Sequence, residues 1–185
     1  PDGRPVVLPG TDPTPEGNYV CPGLAGGTNW MSPSLNPQTG LFYVNAREQC
    51  DNYYSADLPF REGQLFFGGD FKDKAGDKDW GALKALDPRT GQVKWEFKYH
   101  SPSWGGTLST TGGLIFSADE DGNFMAFDAE TGKNLWHVQV GAAVYAAPMT
   151  YALDGKQYVL IAAGSAMFTF ALPDSLLAKE KPALR

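Results

Sequence analysis

Residues able to do acid–base, nucleophilic or metal chemistry are sparse and scattered in this 185-residue chain. Its two histidines, His100 and His137, stand far apart and each beside an expected outer strand, so a nucleophile–base pair has poor support. The Gly-x-Ser-x-Gly elbow and the phosphate-binding loop are both missing from the sequence. Asp70, Asp73, Asp77 and Asp79 alternate with lysines, which reads as a solvated loop, because the fixed Gly and closing Glu of an EF-hand are lacking. Cys21 and Cys50 permit one disulfide or none, and with no histidine nearby they make a poor zinc set. Asn29 and Trp104 each begin an expected innermost strand, a place from which a side chain could reach a central ligand. Asn29 could equally be a strand-end hydrogen bonder. Trp104 could pack beside Gly105 and Gly106, which leave room next to it for something flat.

The elements that would position these residues are strands. Gly (22) and Pro (14) together make about a fifth of the chain, well above the roughly 12% usual in globular proteins. Aromatics reach 13% while charged residues fall to 19%, a profile of short strands and tight turns that excludes a helical bundle and argues against disorder. The formal charge of −6 offers nothing to a phosphate backbone or an anionic membrane surface, so neither nucleic acid nor such a surface is an expected partner. No apolar run is long enough to span a bilayer, and Pro1–Pro5 has neither the basic start nor the apolar stretch of a signal peptide.

A repeat organises the chain. Gly81–Trp95 aligns with Gly122–Trp136 at an offset of 41 residues, with identities at Gly81/Gly122, Ala85/Ala126, Asp87/Asp128, Thr90/Thr131, Gly91/Gly132 and Trp95/Trp136. A period of about 40 residues with such matches is the mark of a propeller blade. In each copy a strand ends at Asp, Asp-x-x-Thr-Gly reverses the chain, and a returning outer strand carries the Trp. The Asp caps the turn, the Gly supplies positive φ, and the Trp can lie across the turn of a neighbouring blade with its indole N–H as donor. Further apolar β-rich runs at Leu41–Val44, Leu65–Phe67, Leu114–Phe116 and Tyr158–Ala162 are bounded by turn signals at Asn36–Gly40, Gly112–Gly113, Asp121–Gly122 and Asp154–Gly155. Asp119–Gly122 reads as a type I′ hairpin turn or a near relative. The sum is an all-β chain, a partial β-propeller of about 2.75 four-stranded antiparallel blades. Blades are expected at about 30–100 (with an insertion at 46–62), 104–141 and 144–172, closing a blade region of 1–173 before a tail at 174–185. Fewer than three blades cannot close a ring of four to eight, so missing blades or a second copy must cover the ends.

The turns Ala85–Trp95 and Ala126–Trp136 resemble the tryptophan-docking motif of the quinoprotein dehydrogenases, periplasmic eight-bladed propellers that oxidise alcohols, polyols or sugars with pyrroloquinoline quinone (PQQ). Cys21-Pro22, Gly26–Trp30 and Asn36–Gly40 are similar to a segment of the PQQ alcohol dehydrogenases. Trp104–Leu114 resembles their seventh-blade beginning, and Ala147–Tyr151 with Gly155–Val159 their final blade. The likeness covers roughly residues 16 to 172 and implies the C-terminal part of such an enzyme. It further implies that Asn29 offers its amide to the quinone oxygens, that Trp104 lies along the cofactor, and that Trp30 either joins it or packs between blades. Cys21 and Cys50 match a family disulfide, which by chain entropy would be worth roughly 3–4 kcal/mol for a loop of about 30 residues.

The family's calcium ligands, its base aspartate, its quinone-side arginine and its vicinal cysteine pair lie in earlier blades and have no counterpart here. Where the family's final blade often carries Gly-Gly-Trp, this chain reads Gly164–Phe168 without a Trp. The resemblance therefore implies a fragment of a periplasmic dehydrogenase, inactive alone, whose parent uses PQQ and Ca²⁺ and passes electrons to an acceptor such as a cytochrome c. In that parent a base takes the alcohol proton while hydride passes to the quinone carbon that Ca²⁺ polarises. The alternative is a cofactor-free propeller scaffold for protein binding, similar to an outer-membrane assembly factor; it would share the Trp turns but would have no use for Asn29, Trp104 and the clamped insertion.

Overall fold

The computed structural model describes residue 4, residues 6–73 and residues 78–174. The expectations for the opening residues other than Arg4, for Asp77, and for the tail beyond Asp174 fall outside the described residues. The structure is a row of antiparallel sheets. After β1 (Asn18–Val20), the first blade is built from β2 (Ser34–Asn36), β3 (Leu41–Glu48), β6 (Trp80–Leu86) and β7 (Val93–Tyr99), in that spatial order. β4 (Asp51–Ser55) and β5 (Gly69–Asp73) form a hairpin that pairs with β1 as a separate small sheet. The second blade comprises β8 (Leu108–Ser109), β9 (Leu114–Ala118), β10 (Asn123–Asp128) and β11 (Asn134–Gln139). The third comprises β12 (Met149–Leu153), β13 (Lys156–Ala163) and β14 (Ala166–Phe170). Two four-stranded sheets and a three-stranded one make the all-β partial propeller that the repeat implied.

The blades meet through apolar faces set by strand alternation. Tyr43, Leu83 and Ala85 of the first blade close on Ile115, Met125 and Phe127 of the second. Phe124 and Val140 of the second close on Ile161 and Ala163 of the third, with Phe168 and Phe170 alongside. Each fully buried side chain of this size stabilises the fold by about 1.5–3 kcal/mol. The outward face of the third blade is apolar as well: Met149, Tyr151, Leu153 and Met167 stand exposed on it, with Tyr151 and Tyr158 stacked at 5.2 Å. The outward face of the first blade is instead charged. Lys84 lies 2.7 Å from Glu48 and 3.4 Å from Glu96; burial pulls its ammonium down, but the two carboxylates outweigh this and hold it above its ordinary value.

Three features differ from the sequence reading. Leu65–Phe67 is an exposed loop and not a strand, because pairing with β4 begins only at Gly69, where a Cβ would sit 1.8 Å from the Tyr54 carbonyl oxygen. Any residue but glycine would hold the chain away at that point. The insertion starts later than 46, since Ala46–Glu48 stay in β3 and pair with Trp80–Ala82. Asp119–Gly122 is not a type I′ turn: Glu120 and Asp121 keep negative φ, and only Gly122 is left-handed. Asp154-Gly155, with φ of 51° and 76°, is the two-residue turn of that kind.

The repeated turns carry the joint between the first two blades. Asp128 Oδ1 accepts from the backbone N–H of Thr131 at 2.8 Å and from its hydroxyl at 2.7 Å, which holds the carboxyl below its ordinary pKa. Gly91 and Gly132 close their turns with φ of 72° and 73°. Trp95 reaches from β7 to the second blade's turn, where its indole Nε1 donates to the Ala129 carbonyl at 3.1 Å and its ring lies over Gly132. Trp136 does not repeat this contact; it sits edge-on to Phe170 at 5.2 Å, because β14 is followed by Leu172-Pro173 and not by another such turn.

The two left-handed glycines separate backbone strain from docking. A Cβ on Gly132 would lie 2.5 Å from the Trp95 ring, whereas one on Gly91 meets nothing within 4 Å. Gly91→Ala should cost only the left-handed strain, about 1–2 kcal/mol. Gly132→Ala should cost about 3 kcal/mol or more, the excess arising from overpacking against the indole. Urea denaturation of both variants measures the difference, and equal losses would remove the docking contribution.

Candidate functional site

The innermost strands β2, β8 and β12 are each preceded by a short segment, and these three segments converge. Thr107 N–H donates to the Ser32 carbonyl at 2.8 Å, and Gly106 N–H to the Ala146 carbonyl at 3.3 Å. A Cβ on Gly106 would lie 2.6 Å from Ala147 Cβ and 3.1 Å from the Ser32 oxygen, so glycine is required there by the close approach of three backbones. The sequence suggested that Gly105 and Gly106 make room for a flat ligand; at Gly106 the room is taken by protein.

Behind these segments lies a sealed polar cluster. Asn45, 2% exposed, projects from β3 and donates to the Gly105 carbonyl at 2.7 Å and to Ser117 Oγ at 2.9 Å. Its Oδ1 accepts from the Tyr99 hydroxyl at 3.0 Å, and Ser103 Oγ caps the Ala118 carbonyl at 2.5 Å. Burial pushes the Tyr99 phenol far above its ordinary pKa, so it stays a proton donor throughout the physiological range.

Trp104 stands in front of that cluster, half-buried, and stacks on Trp30 with centroids 6.0 Å apart and planes 11° from parallel. Asn29, next to Trp30, is exposed; one amide hydrogen goes to the Ala25 carbonyl at 3.0 Å and Oδ1 accepts from Trp30 N–H at 2.8 Å. Its second amide hydrogen is directed by a side chain already fixed at both ends. The structure thus brings the Asn29 segment beside Trp104, through the contact of Trp30, the residue whose role the sequence left open.

Sequence reasoning missed Arg47. Its guanidinium lies 3.6 Å from the centre of the Trp104 ring, donates from Nη1 to the Ser103 carbonyl at 3.0 Å, and donates from Nε to Gln49 Oε1 at 2.8 Å. Gln49 passes the contact on to Asp79, at 2.5 Å. Asp79 is therefore part of a half-buried relay and not a residue of a solvated loop. Burial pulls the guanidinium below its ordinary pKa, with Glu120 and Asp79 opposing, and it remains charged. The signal in the sequence was only the alternation Tyr43, Asn45, Arg47 on one strand.

The insertion is fastened across this region. Cys21 and Cys50 form a disulfide with Cα atoms 4.5 Å apart. Gly23 N–H donates to the Gln49 carbonyl, Leu24 N–H to Asp51 Oδ2 and Arg47 N–H to the Gly27 carbonyl. His100 and His137, expected far apart, line one shallow hollow of about 260 Å³ with Asp119, between the end of β7 and β11. Asp119 is used there by the N–H and side-chain amide of Asn123. Among the described residues no three His, Cys, Asp or Glu side chains gather to hold a metal ion, and no helix is long and apolar enough to cross a membrane.

Comparison with known proteins fits this geometry. Residues 98–159 match the PQQ family model described as the β-propeller domain of glucose/ethanol/alcohol dehydrogenase. The chain is 36% identical over 171 residues to the quinoprotein alcohol dehydrogenase PedH of Pseudomonas putida, covering 88% of this chain and 29% of that one. It is 39% identical to the quinoprotein ethanol dehydrogenase of Pseudomonas aeruginosa, covering 88% and 27%. Among solved structures, the quinohemoprotein alcohol dehydrogenase ADHIIG of Pseudomonas putida HK5 superposes with a TM-score of 0.74 at 34% identity, covering 82% of this chain and 24% of that one. The chain thus spans between a quarter and a third of the length of the curated relatives.

Removing the Asn45 amide would leave the Tyr99 hydroxyl, Ser117 and the Gly105 carbonyl short of partners in a sealed space. Asn45→Ala should destabilise the chain by about 3 kcal/mol, beyond an ordinary hydrogen-bond deletion. Thermal unfolding followed by circular dichroism measures this. A loss no larger than that of an exposed Asn→Ala change would mean that water replaces the amide.

Proposed function

We propose, from the premise that this chain belongs to the PQQ-dependent quinoprotein alcohol dehydrogenase family, that it forms one wall of the cofactor chamber of an alcohol-oxidising propeller. The observation that carries the reading is the stacked Trp30–Trp104 pair beside the exposed Asn29 amide, at the end where the inner strands converge. PQQ is a flat, anionic, oxygen-rich ring system, and the residues present suit it. The indoles of Trp104 and Trp30 offer apolar area, the second Asn29 N–H is a donor for a carbonyl oxygen, and the Arg47 charge lies behind Trp104.

When bound, PQQ would supply a two-electron acceptor for alcohol oxidation, and a metal ion such as Ca²⁺ would supply a Lewis acid beside it. Asn29 and Trp104 orient it, and the buried cluster behind them keeps water from that side. The metal ligands and the base belong to blades outside this chain, so the chain alone is inactive. The whole protein works in the periplasm on small alcohols, polyols or sugars and passes electrons to an acceptor such as a cytochrome c. The missing blades, or a second copy, cover the outward face of the third blade.

Fluorescence titration with PQQ and Ca²⁺, on the protein that contains the upstream blades, tests this. Trp104→Ala and Asn29→Ala should each weaken binding about tenfold, the loss of roughly 1.4 kcal/mol of stacking or hydrogen bonding. Unchanged binding in both variants would place the cofactor elsewhere.

A further inference from the structure

We infer that Arg47 is the positioning residue of this wall: one residue that ties the Asn29–Trp30 and Ser103–Trp104 segments to the same strand and lays a buried positive charge on the Trp104 indole. The inference rests on the reading that Trp104 faces the quinone. Its geometry does not. The backbone N–H of Arg47 donates to Gly27 O at 2.7 Å, on the segment that leads into Asn29. Its guanidinium donates to Ser103 O at 3.0 Å and lies flat over the adjoining Trp104. The segments that bear both candidate contacts thus share one anchor, one pair from the end of the longest sheet ladder among the described residues.

Arg47 is 3% exposed, and among the described residues no carboxylate lies within 4 Å of it. Its hydrogen bonds go to neutral oxygens, those of Gln49 and Ser103, and Asp79 is reached only through Gln49. A charge so placed is costly to bury and is held by its contacts with the indole and the two oxygens. Its field therefore extends through Trp104 toward whatever lies on the far side, and it favours an anion that gains electron density. Lysine at this position would keep the charge but lose the planar fork that grips Ser103 and Gln49 together.

The test uses Arg47→Gln, Arg47→Lys and Trp104→Phe in the protein that contains the upstream blades, read by the circular-dichroism exciton signal of the Trp30–Trp104 pair and by fluorescence titration with PQQ. Arg47→Gln should reduce the exciton signal to the level of Trp104→Phe and weaken PQQ binding about tenfold. Arg47→Lys should lose the exciton signal too, yet recover most of the affinity. If the wild-type protein containing the upstream blades does not bind PQQ, the cofactor reading falls while the exciton comparison still decides the positioning role. An exciton signal equal to wild type in both variants would overturn the inference. Should Arg47→Gln not fold, Arg47→Lys alone decides it by the same signal.

Discussion

One face of a single strand holds this structure in register. Along β3 the side chains of Tyr43, Asn45 and Arg47 point the same way, as the two-residue period demands, and each meets a different part of the second blade. Tyr43 donates to the Ala129 carbonyl at the docking turn, Asn45 knits the sealed cluster at mid-sheet, and Arg47 grips Ser103 and Trp104 where the inner strands begin. A hydrogen bond in a dry interior is directional, and leaving it unmade costs more than making it returns. Three such contacts in a row leave the second blade one position against the first. A slip of β3 by one residue would bury Val44 and Ala46 there and strand every polar partner.

Apolar packing could not do this alone. Leu83, Ile115 and Phe127 supply most of the favourable free energy between the first two blades, but such contacts tolerate sliding. The indole of Trp95 adds a second fixed point at the outer edge, because its N–H has one acceptor in reach and its ring requires a glycine beneath it. Between the second and third blades no equivalent indole hydrogen bond is seen among the described residues, and Trp136 packs edge-on against Phe124 and Phe170. That joint is held by Phe124, Val144 and Ile161, an apolar contact whose register is set by the inner segments through Gly106 and Ala146.

The fold was legible because its signals are local. Ala85–Trp95 and Ala126–Trp136 carry turn, strand and docking residue within one short segment, so the repeat alone implied blades. Leu65–Phe67 misled because β propensity speaks for a run of side chains, while pairing there hinged on the backbone approach at Gly69. Asn29 and Trp104 were singled out from flanking sequence, and the structure brings their segments together through Trp30. Arg47 was hidden for a physical reason. An arginine in an alternating strand looks like any solvent-facing charge, and only the packing of the insertion and the second blade against it removes the water.

Stability and site geometry therefore rest on different groups. The clusters around Phe127 and Phe124 set how firmly the blades adhere. Asn45 and Arg47 set where Trp104 stands, through the Gly105 and Ser103 carbonyls on either side of it, at the cost of burying an amide and a guanidinium whose partners an apolar replacement would leave unpaired. Both lie on the face that meets Ser103 and Trp104, and the solvation they give up is offset by contacts that also fix the orientation of that indole.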